Sequence, residues 1–178
     1  KIFILPNAID SEKFKMIKRD KALEKELGVQ DKPVIGYIGS FVEYEGLDLL
    51  LEACAMLKER HGAVFRLLLV GDGDTMQLLR RTSQFLQLEE QVIFTGRVPH
   101  DEVERYYSLI DIAPLPRKGY RVCELVSPLK PFEAMGAGKV LVTSSVRALA
   151  EIVDDGVTGL VFEKDNSEDL AKKLETVI

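Results

Sequence analysis

Two hydrophobic periodicities alternate along the chain from Val34 onward. Short, continuous apolar runs rich in Val, Ile and Leu are typical of strands buried on both faces of a parallel sheet. Segments with apolar residues at helical spacing lie between these runs and predict amphipathic helices. The runs that predict strands are residues 34–38, 65–70, 92–94, 110–115, 140–142 and 159–162. The alternation predicts an α/β fold, a doubly wound, mostly parallel Rossmann-like sheet of about six strands with helices on both faces.

Two of the helical segments are predicted from different signals, an apolar stripe and a capping residue. One helix is predicted from an apolar stripe formed by Leu78, Leu79, Phe85 and Leu86. The last helix is predicted to begin after Asn166, whose side-chain oxygen can accept a hydrogen bond from a free backbone N–H of the first turn.

Residues 1–33 read differently from the rest of the chain. A short apolar run is followed by the turn formers Pro6 and Asn7, a lysine-rich stretch and a short helical pattern closed by Gly28. We therefore expect a lead-in segment over residues 1–33 and a globular domain over residues 34–178.

Composition narrows the classes of function. The chain has 178 residues, of which 46% are hydrophobic, and 24 basic against 29 acidic residues give a formal net charge of −5. This mildly acidic balance argues against nucleic acid as a partner. Two cysteines provide neither a disulfide framework nor a zinc cluster. No apolar stretch approaches the roughly 20 residues of a transmembrane helix.

Ligands of doubly wound sheets bind outside the carboxyl ends of the strands, so the residues directly after the apolar runs are the first candidates. Gly39 and Ser40 follow the first run, where glycine lets the backbone approach a phosphate; a tight turn explains them equally well. Arg97 follows the third run and can contact a phosphate or a base, or form a surface ion pair. Asp72 and Asp74 resemble paired metal-binding acids, but a helix cap is the favoured interpretation.

The loop over residues 117–130 carries four cations within fourteen residues: Arg117, Lys118, Arg121 and Lys130. It runs into a short helix in which Pro131 suits the first position. The positive end of a helix dipole beside a lysine is the outline of a diphosphate site. The alternative interpretation is a solvated run of charges.

Two acids accompany these cations. Glu133 lies one turn into the short helix and can accept hydrogen bonds from vicinal hydroxyls such as those of a ribose. Glu124 can do the same for a sugar.

The segment 130–135 (Lys-Pro-Phe-Glu-Ala-Met), with residues 138–140 after it, resembles the nucleotide-sugar signature of the family 4 (group 1) glycosyltransferases of the GT-B fold. Residues 39–46 resemble the first loop of that family, residues 70–73 the second, and residues 95–98 the loop on the base side. Residues 5–10 resemble its interdomain linker, so the resemblance covers nearly the whole chain.

The resemblance implies the C-terminal, donor-binding half of a retaining glycosyltransferase that moves a hexose-type sugar from a UDP- or GDP-linked donor to a glycan or lipid-linked acceptor. It implies no metal and no other cofactor. The enzyme's own N-terminal domain then supplies the acceptor site, so we expect this chain alone to bind nucleotide without transferring sugar. The resemblance also implies that the enzyme is cytoplasmic and that its N-terminal domain attaches it to the inner face of the membrane.

The resemblance also assigns roles to particular residues. Glu124 and Lys130 are expected to be catalytic. The donor is expected to contact Gly39, Ser40, Arg97, Arg117, Arg121, Ser127, Pro128, Leu129, Lys130 and Glu133.

The chain departs from the family at two places. The family usually has two glutamates separated by seven residues, which would put the first at Leu125, whereas Glu124 and Glu133 are separated by eight. The family's first loop commonly carries an arginine and a lysine where this chain has Ser40 and Glu45. We expect this positive charge to have moved to Arg117, Arg121 and Lys130.

Other functions remain open at this point. A nucleotide-sugar epimerase can use the same fold and cleft, and the substitutions in the first loop would also suit a non-catalytic nucleotide-binding module. A Rossmann-type dehydrogenase is disfavoured because no Gly-x-Gly-x-x-Gly follows any of the apolar runs.

Overall fold

The computed structural model of the chain describes residues 3, 7–10, 15–30 and 32–178. In these residues every strand pairing is parallel, and the strand order is β3-β2-β1-β4-β5-β6. The strands are β1 (Val34–Ile38), β2 (Arg66–Val70), β3 (Val92–Gly96), β4 (Ile112–Leu115), β5 (Val140–Ser144) and β6 (Leu160–Phe162). The predicted doubly wound, Rossmann-like sheet of six strands is thereby confirmed.

One helix precedes β1, and one or two helices follow each strand along the chain. They are α1 (Lys21–Leu27), α2 (Leu47–His61), α3 (Met76–Phe85), α4 (Val103–Leu109), α5 (Arg121–Leu125), α6 (Lys130–Gly136), α7 (Arg147–Ala150) and α8 (Ser167–Glu175), with short 3₁₀ turns at Glu43–Glu45 and His100–Glu102. Across the described ranges, none of these helices combines the length and the apolar character that crossing a bilayer requires.

Two helix ends form as the sequence predicts. The Asn166 side chain accepts a hydrogen bond from the backbone N–H of Asp169 at the start of α8. Gly28 ends α1 in the left-handed conformation, with φ of 63°. A third cap was not predicted. At the start of α1, the side chain of Asp20 accepts hydrogen bonds from the backbone N–H groups of Ala22 and Leu23.

The apolar stripe predicted for α3 contacts the core only in part, through Leu79 and Leu86. Leu79 is buried, but Leu78 is 58% exposed and Phe85 is 87% exposed. The buried face follows Met76, Leu79 and Ser83, which are spaced by three and four residues. Leu78 and Phe85 are seven residues apart and therefore share a different face of the helix. Apolar residues occur on two faces of this helix, and packing against the hydrophobic core buries only one of them.

The lead-in segment is tied to the amino ends of the central strands. Arg19 forms ion pairs with Asp111 at 2.9 Å and with Glu24 at 2.6 Å. The other carboxylate oxygen of Asp111 accepts a 2.8 Å hydrogen bond from the N–H of Val34, where β1 begins. Leu23 of α1 is part of the hydrophobic core.

The two cysteines provide a test of this core. Cys54 and Cys123 are free thiols with no exposed surface, and burial raises the pKa of each. Because the thiolate is the reactive form, we expect neither cysteine to react with a thiol-specific reagent at pH 8 in the folded protein. Both should react in denaturant, as mass spectrometry can measure. Rapid modification of Cys54 without denaturant would contradict this packing.

Candidate functional site

A cleft opens at the carboxyl ends of β1, β2 and β3. Its first part has a volume of about 440 Å³ and is lined by the loops after these strands, including Gly39, Ser40 and Arg97. A second part of about 380 Å³ lies in front of α6 and includes Lys130 and Glu133. Both parts are lined by Ile38, Gly39 and Val103, so they form one continuous surface, named here the strand-end cleft.

Backbone hydrogen bonds fix the floor of this cleft. The N–H of Gly39 donates to the carbonyl of Val70 at 2.9 Å, and the N–H of Phe41 donates to the carbonyl of Asp72 at 2.9 Å. The loops after β1 and β2 are therefore tied together beyond the ends of their strands. Asp72 also accepts a hydrogen bond from the N–H of Gly73, which is a role within its own turn.

Lys130 lies at the wall of the cleft, at the first residue of α6. Its ammonium group is 3.4 Å from Oε1 of Glu45 and 5.5 Å from the centre of the Tyr37 ring. Burial and the negative charge of Glu45 raise the pKa of Tyr37 well above its usual value, so this ring keeps its proton. The ammonium group of Lys130 therefore lies at the cleft with Glu45 and the Tyr37 ring as neighbours.

Arg117 lines the same part of the cleft but is 8% exposed. Its Nη2 donates to Oε1 of Glu45 at 2.9 Å, and its Nη1 donates to the carbonyl of Val126 at 3.2 Å. Glu45 itself is 3% exposed. Two of the predicted cations thus meet in the cleft, and both pair with the acid at the position where the family commonly has lysine.

The other two predicted cations lie elsewhere. Arg97 is exposed and lines the part of the cleft beyond β3. Arg121 is exposed at the start of α5, apart from the residues that line the cleft. Within the described part of the chain, neither arginine forms an ion pair.

Glu133 lines the cleft one turn into α6. Its Oε2 accepts a 3.0 Å hydrogen bond from the hydroxyl of Tyr107. Burial, followed by the nearby charge of Glu133, raises the pKa of Tyr107 well above its usual value, so the phenol remains a donor. Tyr107 is a positioning partner that the sequence alone did not identify.

Glu124 is directed toward α7. Its carboxylate accepts hydrogen bonds from the N–H of Arg147 at 2.8 Å and from Lys164 at 2.6 Å. These two donors, Lys164 first, hold the pKa of Glu124 below its usual value. Leu125, which stands where the family's first glutamate is expected, is 65% exposed. Of the two predicted acids, the structure therefore places Glu133 at the cleft and Glu124 in a contact between helices.

This contact predicts a pH dependence. A carboxylate with a lowered pKa in the folded state stabilises the protein above its unfolded pKa and loses that contribution as pH falls through the folded pKa. We expect Glu124→Gln to lower the urea midpoint slightly at pH 7, and the difference from the parent protein to shrink below pH 4. A constant difference at every pH would contradict the contribution of the charge.

The remaining predicted residues surround the cleft. Ser40 lines it, and its carbonyl accepts a hydrogen bond from the Tyr37 hydroxyl at 3.2 Å. Pro128 and Leu129 line the part in front of α6. The carbonyl of Ser127 accepts a 2.8 Å hydrogen bond from Asn7, which brings the lead-in segment to the edge of this loop.

Known proteins resemble this chain in sequence and in fold. Residues 18–178 match the sequence model of the family described as Glycosyl transferases group 1. The α-D-kanosaminyltransferase of Streptomyces kanamyceticus is 26% identical over 160 residues, which are 90% of this chain and 40% of that protein. The chain spans 38–40% of the length of the first curated relatives that it matches.

Solved structures share the fold. The C-terminal domain of the group 1 glycosyltransferase LpcC from Francisella tularensis aligns with a TM-score of 0.80 and 19% identity, over 95% of this chain and 87% of that one. Anabaena HepE in complex with UDP and glucose aligns with a TM-score of 0.76 and 23% identity, over 96% of this chain and 45% of that one.

Proposed function

The chain belongs to the group 1 glycosyltransferases, and we propose that it forms the donor-binding half of such an enzyme, with a UDP- or GDP-linked sugar as donor. The observation that carries this proposal is the strand-end cleft, which has Lys130 and Glu133 at one end and Arg97 at the other. A nucleoside diphosphate carries anionic phosphates beside a pair of ribose hydroxyls. Within one helical turn, the cleft has a cation, Lys130, for the phosphates and a carboxylate, Glu133, for the ribose hydroxyls.

In this proposal Lys130, Glu133 and Arg97 each bind a different part of the donor. Lys130 contacts the distal phosphate, Glu133 accepts hydrogen bonds from the ribose, and Arg97 lies toward the base. When the bond to the sugar breaks, negative charge develops on the leaving phosphate, and a cation fixed at that position stabilises the transition state. Protein cations thereby take the role that a metal has in other transferases, and we propose a metal-independent reaction that retains configuration.

Two of the similar proteins support this assignment. HepE, which shares the fold, was crystallised with UDP and glucose. The name of the Streptomyces relative describes transfer of kanosamine, an amino sugar. We propose a hexose-type sugar as the group that this enzyme transfers.

The remaining parts of the reaction are assigned to another domain. We propose that an N-terminal domain of the same enzyme binds a glycan or lipid-linked acceptor at the open side of the cleft and provides any attachment to a membrane surface. The 178-residue chain should then bind the donor nucleotide without transferring sugar.

Calorimetry of the 178-residue chain with UDP and with GDP tests the proposal. We expect dissociation constants between millimolar and tens of micromolar, about 4–6.5 kcal/mol, because only half of the cleft is formed. The matching nucleoside monophosphates serve as controls and should bind more weakly, since Lys130 is assigned to the distal phosphate. No binding of either diphosphate at millimolar concentration would contradict a donor-binding role.

A second candidate function has one observation in its favour. Glu45 pairs with Arg117 and Lys130, the two cations beside α6, which would suit a non-catalytic nucleotide-binding module. An assay of the two-domain enzyme with labelled donor and candidate acceptors separates the possibilities. A glycoside product supports the transferase, free sugar or an epimer supports another enzyme on this fold, and binding without turnover supports the module.

A further inference from the structure

Glu45, Arg117 and Lys130 form a cluster of three charges in the wall of the strand-end cleft, named here the Glu45 cluster. Oε1 of Glu45 receives both cations, Arg117 Nη2 at 2.9 Å and Lys130 Nζ at 3.4 Å. Oε2 is buried and has no hydrogen-bond partner among the described residues. The cluster therefore has a net charge of only +1 at a place assigned to a diphosphate.

The backbone holds Glu45 in this position. The N–H of Lys118 donates to the carbonyl of Tyr44 at 3.0 Å, which ties the Glu43–Glu45 turn to the loop that contains Arg117. Gly46 follows with φ of 71°, and a Cβ at this residue would lie 1.9 Å from the carbonyl oxygen of Pro116. The two loops are in backbone contact, which keeps Glu45 and Arg117 side by side in the wall of the cleft.

The two cations of the cluster differ in their freedom to move. The Arg117 side chain is 9% exposed and is held at both ends of its guanidinium, by Glu45 and by the carbonyl of Val126. The Lys130 side chain is 21% exposed, and its contact with Glu45 is longer by about half an ångström. A planar guanidinium held by two acceptors stays in place, whereas an ammonium on a flexible stem can exchange one anion for another.

We propose that Glu45 competes with the donor's diphosphate for Lys130, and that Arg117 is a positioning residue that neutralises Glu45, rather than a phosphate ligand. A buried carboxylate that loses one of its counter-ions binds the other more strongly. With Arg117 in place, Lys130 is free to turn toward a phosphate. Without Arg117, Glu45 retains Lys130, and the diphosphate loses the cation that is assigned to it.

This inference rests on the proposed function for its ligand, and it predicts a specific pattern of UDP affinities. Removing the charge of Glu45 by Glu45→Gln raises the net charge of the cluster to +2, and we expect UDP to bind about three- to tenfold more tightly. Arg117→Met lowers the net charge to zero, and we expect binding at least about tenfold weaker. The double variant Glu45→Gln, Arg117→Met restores +1, and its affinity should return to within about threefold of the parent value.

The double variant separates the two roles of Arg117. If Arg117 itself binds phosphate, the double variant will bind UDP as weakly as Arg117→Met, and this result would overturn the proposal. Circular dichroism establishes that each variant is folded before binding is measured. If Arg117→Met does not fold, Glu45→Gln still decides, because UDP affinity equal to that of the parent protein overturns the competition.

A measurement without ligand tests the same cluster independently of the donor. The rate at which an amine-reactive ester acylates Lys130, followed by peptide mass spectrometry, should increase in Glu45→Gln and decrease in Arg117→Met. Unchanged rates in both variants would overturn the proposal. The expected rates together with no UDP or GDP binding by any of the proteins would refute the proposed function and leave the Glu45 cluster established.

Discussion

Replacing Lys130 by alanine is expected to weaken the binding of UDP or GDP at least about tenfold, since one charge-assisted hydrogen bond contributes about 1.5–3 kcal/mol. The Lys130 side chain is partly exposed in the cleft, and it lies between Glu45 and the ring of Tyr37, where no other lysine is placed in the described part of the chain. Calorimetry of the variant and the parent chain measures the effect. Glu133→Ala should also weaken binding, because the proposed ribose contact is lost.

Asp74→Ala is the matched control for Lys130→Ala. Asp74 is exposed and lies outside the residues that line the strand-end cleft, although it follows directly after one of its loops. We expect its replacement to leave the affinity for either nucleotide nearly unchanged. Equal losses from Lys130→Ala and Asp74→Ala would show that the diphosphate does not lie at α6.

The fold was predictable because parallel strands that are buried on both faces appear in the sequence as continuous apolar runs. The runs at residues 34–38, 65–70 and 140–142 contain few polar residues, and a glycine or a charged residue lies directly beside each of them. Ligand sites of such sheets lie at the carboxyl ends of the strands, so the position of the cleft followed from the same pattern. The orientation of α3 did not follow, because its apolar residues are compatible with two faces.

The pairing of charges in the cleft was beyond prediction for a different reason. Glu45 and Arg117 are 72 residues apart, and only the backbone contact between their loops brings them together. The sequence showed an acid where the family has a cation, and a surplus of cations in a later loop. It could not show that this acid and one of these cations form a buried pair, or that Glu124 is directed toward α7.

Replacing Gly39 by alanine is expected to weaken UDP or GDP binding about tenfold without removing any group that contacts the ligand. Gly39 has φ of 153°, and a Cβ at this residue would lie 2.6 Å from Cε of Lys130 and 3.1 Å from the Tyr37 hydroxyl. The lysine stem must therefore move, and the ammonium group moves with it. We expect an additional loss of stability of about 1–3 kcal/mol from the strained backbone, which urea denaturation measures.

Gly62→Ala separates backbone strain from the displacement of Lys130. Gly62 has φ of 74° and ends α2, and a Cβ there would have no heavy atom within 4 Å. Its replacement should reduce the stability through strain alone and leave nucleotide affinity at the parent value. If both variants lose stability and both bind as the parent chain does, the position of Lys130 against Gly39 has no part in binding, and the diphosphate must be held by other groups. Weaker binding by Gly39→Ala alone would show that the nucleotide needs the space that the absent side chain of Gly39 leaves beside Lys130.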